Sequence, residues 1–308
     1  MKDIATLGCI VLLLAGCSVV EQLRSPAGSG GVSTAMQVMR AAGQADGLSD
    51  LTVPRSALND HAAMVAAART ALAQELAPAN EGRAEPVTYP VQAAFMSFKG
   101  RTDPTLPLRT DLRFIAWLPA SQAADETAAR LSWSKVLEEA AARALPDGHE
   151  TEPFEWVNTS AEGVETTHRV LRVNGPLCSD WSCVLEGGFT SQENPALSEA
   201  AAMQRVPTPS VAAHGEAESY LQTKAVAITF SQVTSQYLEV GRGAQWRMEK
   251  QPVPGFDHNA FYQRISAELP GWVYIYAGPE NPVYATQVPV VLHQGQERFF
   301  AVPGGRFR

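Results

Sequence analysis

The sequence predicts an α+β protein in which helices pack on antiparallel or mixed sheets. Two patterns lead to this class. Apolar residues alternate with period two in short segments such as 112–118, 226–230 and 272–277, which is typical of strands. Residues 123–145 and 259–269 instead place apolar side chains at helical spacing. Each half of the body thus runs strand, helix, further strands. The halves are either related strand-helix-strand units or unrelated segments with similar Pro-Gly stops.

The predicted strand 112–118 carries apolar side chains on both faces. Phe114 and Leu118 share one face, while Ile115 and Trp117 share the other. A strand with two apolar faces belongs inside a sheet that is covered on both sides. We therefore expect this strand to be internal.

The predicted helix 123–145 has the clearest helical pattern. Trp133 lies in its apolar stripe, and the negative charge of Asp125 suits the positive N-terminal end of a helix. Pro146-Asp147-Gly148 is a strong stop signal. We therefore expect a helix of several turns that packs on the predicted sheet.

The N-terminus has the layout of an export signal. Lys2 supplies positive charge, Ile4–Leu14 form an apolar run, and the small residues Ala15-Gly16 directly precede Cys17. The run is well short of the roughly 20 apolar residues that a membrane-spanning helix needs. We therefore expect a cleaved signal peptide over residues 1–16.

Leu14-Ala15-Gly16-Cys17 resembles the lipobox of bacterial lipoprotein signal peptides. The resemblance covers the signal segment and none of the folded body. It implies that Cys17 carries lipid, becomes the first mature residue and holds the protein at a membrane, facing the periplasm. Ser18, where an aspartate would favour the inner membrane, resembles the case sorted to the outer membrane. Several acyl chains anchor a protein stably; the alternative is an ordinary signal peptide with an incidental cysteine.

Composition bounds the partners. The chain has 308 residues, a formal net charge of −8 and no run of Lys and Arg. A mildly acidic protein of this kind is a poor candidate for binding nucleic acid, so we expect no nucleic-acid partner. The expected partners are the membrane, through the N-terminal lipid, and an envelope protein.

Two cysteines lie in the predicted body, Cys178 and Cys183. An even pair in an oxidising compartment indicates a disulfide. The pair lies between strands predicted at 169–173 and 183–189, so the disulfide would pin the loop between them. Redox-active dithiols favour two intervening residues, whereas four separate this pair, which favours a structural role.

The predicted organisation follows these signals. A lipid anchor and flexible tether occupies residues 17–55. The first α+β unit covers residues 56–190 and opens with an Ala-rich helix over 57–77. A Pro-rich connector at 191–218 leads to the second α+β unit, residues 219–308, which ends in a hairpin.

No motif for catalysis, a metal or a nucleotide cofactor stands out. The histidines show no zinc-binding spacing, and there is no Gly-x-Ser-x-Gly, Walker or dinucleotide fingerprint. We therefore predict no catalytic residue, no metal ligand and no cofactor. An anchored hydrolase is an alternative that requires a cleft gathering several histidines with carboxylates: His149, His168, His258 and His293.

Large aromatic side chains supply the candidate binding residues. Trp272, Tyr274 and Tyr276 alternate along one predicted strand and form either a ligand platform or part of the core. Trp181 lies on the loop that the disulfide pins, where it either anchors a contact or packs on the disulfide. The predicted function is a non-catalytic envelope scaffold, accessory subunit or binding module. A small-ligand-binding lipoprotein is a further alternative.

Overall fold

Two antiparallel sheets form the framework of the protein. The computed structural model describes residues 31–58, 60, 62–64, 66, 110–159, 165–187, 203–225, 227–240, 243–279 and 289–304. Its α-helices include α1 (Thr34–Ala41), α2 (Glu126–Arg143) and α3 (His258–Glu268). Its strands include β1 (Leu51–Val53), β2 (Thr110–Pro119), β3 (Glu150–Thr159), β4 (Glu165–Gly175), β5 (Cys178–Glu186), β6 (Gln204–Pro207), β7 (Glu218–Ala225), β8 (Thr229–Val240), β9 (Gly243–Pro252), β10 (Val273–Pro279), β11 (Val290–His293), β12 (Gln296–Phe299) and β13 (Ala301–Pro303).

The larger sheet has six strands in the order β12-β11-β10-β2-β7-β6, and the smaller sheet has five in the order β3-β4-β5-β8-β9. β1 and β13 form a separate parallel pair. Helices together with antiparallel sheets make this an α+β fold, as the sequence predicts. The prediction that β2 is internal is confirmed, because β10 pairs with one of its edges and β7 with the other.

Each sheet combines strands from both predicted units. β2, from residues 56–190, lies between β10 and β7, from residues 219–308. In the smaller sheet β5 pairs with β8 across the same boundary, and β6 lies within the predicted connector 191–218. Alternation of apolar residues identifies a strand but not its partner. The pairing of strands therefore does not follow the consecutive division made from the sequence.

The folded part of the chain begins earlier than the predicted tether 17–55 implies. α1 lies inside that range and buries one face. The buried side chains are Ala35, Met36, Val38 and Met39. Ser33 caps the helix, because its Oγ accepts the Met36 N–H at 3.0 Å and donates to Asp50 Oδ1 at 2.5 Å. A helix of two turns offers too little periodicity to be separated from a tether by pattern alone.

Part of the predicted Ala-rich helix 57–77 falls within the described residues. Residues 62–64 are helical. Met64 is buried in a small cluster with Val53 and Ala301. Residues 67–77 lie outside the described residues.

α2 confirms the helix predicted over 123–145. Asp125 is its N-cap and accepts the Ala128 N–H at 2.8 Å. Trp133 and Leu137, from the predicted stripe, are buried. The observed helix is shorter than the prediction at both ends because the cap fixes its start and a turn follows Arg143.

The main core is formed by one face of each sheet together with α2 and α3. Phe114 of β2, Trp133 of α2 and Trp272 make a chain of rings whose centroids are 6.0 and 6.3 Å apart. Arg143 Nε of α2 lies 2.9 Å from Glu268 Oε2 of α3. The ring contacts join α2 to the larger sheet, and the ion pair joins α2 to α3.

A second core covers the opposite face of the larger sheet, beneath α1. Tyr274 and Tyr276 of β10 belong to this second core, whereas Trp272 belongs to the main core. All three rings are at most 6% exposed. Of the two alternatives, a ligand platform or part of the core, the structure shows the core, because Trp272 precedes the first residue of β10 and α1 covers the side on which the two tyrosines lie.

Tyr274 and His293 stack in this second core, with ring centroids 4.2 Å apart. Tyr274 Oη donates to Val211 O at 2.5 Å, and His293 Nε2 lies 2.8 Å from Gly271 O. Burial raises the pKa of Tyr274 to about 12. Burial also lowers the pKa of His293, and the positive charge of Arg298 acts in the same direction against the hydrogen bond to Gly271.

We expect the free energy of unfolding to fall as the pH drops from about 7.5 to about 5.5. His293 binds a proton less readily in the folded chain than in the unfolded chain, where the pKa of histidine is about 6.5. The stability contributed by the neutral imidazole is complete above about pH 6.5 and is lost as the pH falls through the lowered folded pKa. Urea unfolding at several pH values across this range measures how steeply the free energy of unfolding depends on pH.

His293→Gln is the matched variant, because its amide retains a donor for Gly271 O but does not titrate. Its stability should depend less steeply on pH than that of the wild type. Some dependence should remain, since burial lowers the pKa of His258 as well. An unchanged slope in His293→Gln would contradict the assignment to His293.

Candidate interaction site

Strand β5 contains an insertion that its neighbour β4 does not match. In the register of the β4–β5 hairpin, Gly175 pairs with Cys178 and Val173 pairs with Cys183. A single residue of β4 therefore faces Ser179–Ser182, and these four residues leave the ladder as a bulge. We call residues Cys178–Cys183 the disulfide lobe.

The disulfide between Cys178 and Cys183 closes the base of this lobe. The two Cα atoms are 5.7 Å apart. Both residues are at most 4% exposed and belong to the main core. The predicted disulfide is therefore present, but it joins two positions of one strand instead of flanking a loop between strands. Its burial restricts access to the sulfurs, in keeping with a structural role.

Asp180 and Trp181 occupy the left-handed region of the backbone, each with a φ of 57°. Residues with a Cβ avoid this region at a cost of about 1–2 kcal/mol each. The closed ring of the lobe restricts the chain and holds both residues in this conformation. Because strained residues cluster at ligand clamps and binding sites, the lobe is a candidate interaction site.

Trp181 and Phe154 both contact the guanidinium group of Arg172. The Arg172 Cζ atom is 5.4 Å from the Phe154 ring centroid and 5.9 Å from the Trp181 ring centroid. Glu152 pairs with the same guanidinium at 3.0 Å. Cation–π contacts at exposed sites contribute about 0.5–1 kcal/mol each, so Arg172 restrains both rings. We call Phe154, Arg172 and Trp181 the aromatic–arginine patch.

A histidine holds the turn that leads into the lobe. His149 Nδ1 lies 2.8 Å from Pro146 O, and its Nε2 accepts the Leu177 N–H at 3.3 Å. These partners assign the imidazole proton to Nδ1. A Cβ at position 175 would lie 2.7 Å from His149 Cδ2, so Gly175 is required for this close approach. The turn is thereby fixed to the end of α2, while Leu177 remains exposed.

Replacing both lobe cysteines with alanine is expected to lower the free energy of unfolding by about 2 kcal/mol or less, because the disulfide closes a very short loop. The local effect should be larger. Amide hydrogen exchange of residues 176–184 should accelerate strongly, since the ring no longer restrains Asp180 and Trp181. Urea unfolding and hydrogen-exchange mass spectrometry measure the two effects.

Ser179→Ala is the matched control for the cysteine variant, because it changes the lobe and leaves the ring closed. It should leave both measurements near their wild-type values. A loss of more than about 4 kcal/mol in the cysteine variant would exceed the loop-entropy effect and contradict a mainly local role.

The structure places the three other predicted binding residues in the cores of the protein and not in the lobe. Trp272, Tyr274 and Tyr276 lie in the two cores. Cys17, the predicted lipid attachment site, lies outside the described residues. Of the predicted binding residues, Trp181 alone belongs to the aromatic–arginine patch.

Among the described histidine side chains of the hydrolase alternative, His293 lies on the other face of the larger sheet from the core that His149 and His258 contact. His149 contacts Phe230 of the main core, with ring centroids 6.1 Å apart. His258 is the first residue of α3 and contacts Phe256 at 4.9 Å. His293 lies in the second core, on the other face of the larger sheet. His168 belongs to β4, and its side chain is not among those described.

Sequence patterns do not identify Phe154 and Arg172 as site residues. Pro153 interrupts the apolar alternation of Glu150–Thr159, and a proline weakens the prediction of a strand. β3 forms nevertheless, because it is an edge strand of its sheet, where proline is tolerated. The contact of Arg172 with both rings depends on the register of β3, β4 and β5, which the sequence does not reveal.

The described part of the chain contains neither a metal-ligand cluster nor a membrane-spanning helix. No three His, Cys, Asp or Glu side chains in it lie together so as to hold a metal ion. Within the same ranges, no helix combines the length and apolar character needed to cross a bilayer. Comparison of the chain with known proteins found no matching family model, no matching curated protein and no matching solved structure.

Proposed function

We propose that the protein is a lipid-anchored envelope component that faces the periplasm and works without catalysis, as a scaffold, accessory subunit or binding module. The lipobox that ends at Cys17 supports the anchor, and Ser18 supports the outer membrane as its place. The Cys178–Cys183 disulfide supports export, because such bonds persist in oxidising compartments.

The aromatic–arginine patch is the observation that carries the binding role. Trp and Arg are enriched among the few residues that dominate the energy of protein interfaces. In this patch Trp181 is held by a closed ring and Arg172 is oriented by Glu152. A restrained side chain loses less conformational entropy on binding than a free one. The patch therefore suits contact with another protein.

Replacing Cys17 with serine tests the anchor. The wild-type protein is expected to sediment with outer membranes and to incorporate labelled palmitate, whereas the Cys17→Ser protein should do neither, because a lipid is attached through the thiol. Ser18→Ala is the matched control and should remain with the membrane. Membrane retention of Cys17→Ser would contradict the proposal.

Native electrophoresis in a mild detergent tests the assembly role. The anchored protein should migrate in a defined complex well above the size of its own 33.1 kDa chain. Trp181→Ala should shift it toward the free chain, since the ring is a central contact of the patch. Migration of the wild type as a free chain would contradict the assembly role.

A further inference from the structure

Exposed apolar side chains lie on both sides of the disulfide lobe. Phe154 and Leu177 are 40% and 41% exposed, and they are the large apolar side chains that the described chain leaves most open to solvent. Phe154 contacts Arg172, which contacts Trp181 inside the lobe. Leu177 directly precedes Cys178. Single exposed apolar residues are ordinary, but here two flank one closed ring that itself carries the half-buried Trp181.

Contacts within the protein itself hold this surface in one arrangement. The disulfide closes the lobe, and His149 holds the Leu177 N–H at the turn. Arg172 is shared by Phe154, Trp181 and Glu152. Binding to a surface that is already ordered costs less entropy than binding to a mobile loop.

Three acidic side chains lie at the lobe end of this surface. Asp147 lies in the turn held by His149, Glu150 pairs in register with Asn174 beside the lobe, and Asp180 is at its tip. All three carboxylates are exposed, and no basic side chain of the described residues forms an ion pair with them. Arg172 does not offset them, because Glu152 already pairs with it. The lobe end of the surface therefore combines exposed apolar side chains with three carboxylates that form no ion pair with the described basic side chains.

The negative charge of this surface decides which of three partners fits it best: an anionic membrane, a second copy of the chain or a basic protein segment. An anionic membrane surface would be repelled by the three carboxylates. A second copy docked symmetrically by this surface would bring the same carboxylates against each other, because a two-fold contact matches a patch with itself. A protein segment with basic residues beside an apolar residue satisfies both the charge and the exposed rings.

We propose that the disulfide lobe and its flanks bind a basic segment of another envelope protein. Apolar side chains of that segment pack against Phe154 and Trp181 at one end of the surface and against Leu177 at the other. Its lysine or arginine side chains pair with Asp147, Glu150 and Asp180. This inference rests on the proposed role as an assembly component and names the chemistry of the partner.

Photo-crosslinking in living cells tests the inference on the full anchored protein. The photoreactive residue p-benzoylphenylalanine is placed at Leu177, and in the control at Lys135 of α2, whose side chain is 77% exposed. The adducts are mapped by mass spectrometry to the attached peptide. The same experiment is repeated with Asp147→Asn, Glu150→Gln and Asp180→Asn combined. Asparagine tolerates the left-handed backbone at position 180, and urea unfolding checks that the combined variant folds.

The expected result is an adduct at Leu177, and not at Lys135, whose peptide has Lys or Arg next to an apolar residue. Its yield should fall about tenfold or more in the combined variant, as expected for loss of a dominant contact. An adduct with a second copy, with phospholipid or with an acidic segment would overturn the inference, as would no adduct or an unchanged yield.

Native electrophoresis of the same samples distinguishes failure of the proposed partner chemistry from failure of the proposed assembly role. If the large complex persists but Leu177 gives none of the expected adduct, the partner chemistry is wrong and the assembly role stands. If the wild-type complex is absent, both proposals fail.

Discussion

Replacing Met39 with aspartate is expected to lower the free energy of unfolding by at least about 3 kcal/mol, the effect of leaving a buried charge without a partner. Met39 is fully buried on α1 and belongs to the second core with Trp117 and Tyr274. The substitution removes apolar contacts and places a carboxylate against an aromatic face of the larger sheet. A loss of this size is a large part of the 5–15 kcal/mol that stabilises a typical domain.

Thr34→Asp is the matched control in the same helix. Thr34 is exposed at the first position of α1, where a negative charge interacts favourably with the helix dipole. Its stability should stay within about 0.5 kcal/mol of the wild type. Urea unfolding followed by tryptophan fluorescence compares the two variants. Equal stability of both would mean that α1 belongs to a tether and not to the folded body.

Replacing Trp133 with alanine is expected to lower the free energy of unfolding by about 3–5 kcal/mol, the usual range for a large aromatic residue removed from a core. Trp133 is the ring of α2 that touches both Phe114 of β2 and Trp272. Alanine leaves a cavity at the point where α2 meets the larger sheet. Guanidinium unfolding, monitored by far-ultraviolet circular dichroism, measures the loss.

Two variants bracket this prediction. Trp133→Phe keeps a ring in the core and should lose clearly less stability than Trp133→Ala. Lys135→Ala removes an exposed side chain two residues away in α2 and should change stability by about 0.5 kcal/mol or less. If Trp133→Ala lost no more than Lys135→Ala, the ring would not hold α2 to the sheet.

Local patterns predicted the elements whose environment is uniform along their length. β2 reads as an internal strand because both of its faces are apolar, and it is buried on both sides in the structure. α2 reads as a helix because one stripe is apolar over several turns and Asp125 precedes it. In both cases the pattern of buried side chains follows the geometry of the element itself, on both faces of the strand and along one stripe of the helix.

Features that depend on distant partners could not be predicted in this way. The register that places Arg172 between β3 and β5 arises from strand pairing, which apolar alternation does not encode. In the sequence Trp272 continues the alternation of β10, but in the structure it precedes the strand and packs in the main core. The disulfide was predictable from cysteine count and compartment, whereas its position within β5 follows from the bulge.

If Cys17 carries the proposed lipid anchor, the cap of α1 also limits how far the body can lie from the membrane. With Ser33 hydrogen-bonded to Asp50, the folded body already includes residue 33 and does not begin at residue 56. A fully extended chain spans at most about 3.5 Å per residue. The greatest possible distance from Cys17 to the folded body is therefore roughly 55 Å, measured to Ser33, whereas the predicted tether to residue 55 would allow roughly 130 Å. A body anchored at Cys17 would therefore stay within a short distance of the bilayer. A short connection raises the effective concentration of a partner embedded in the same membrane.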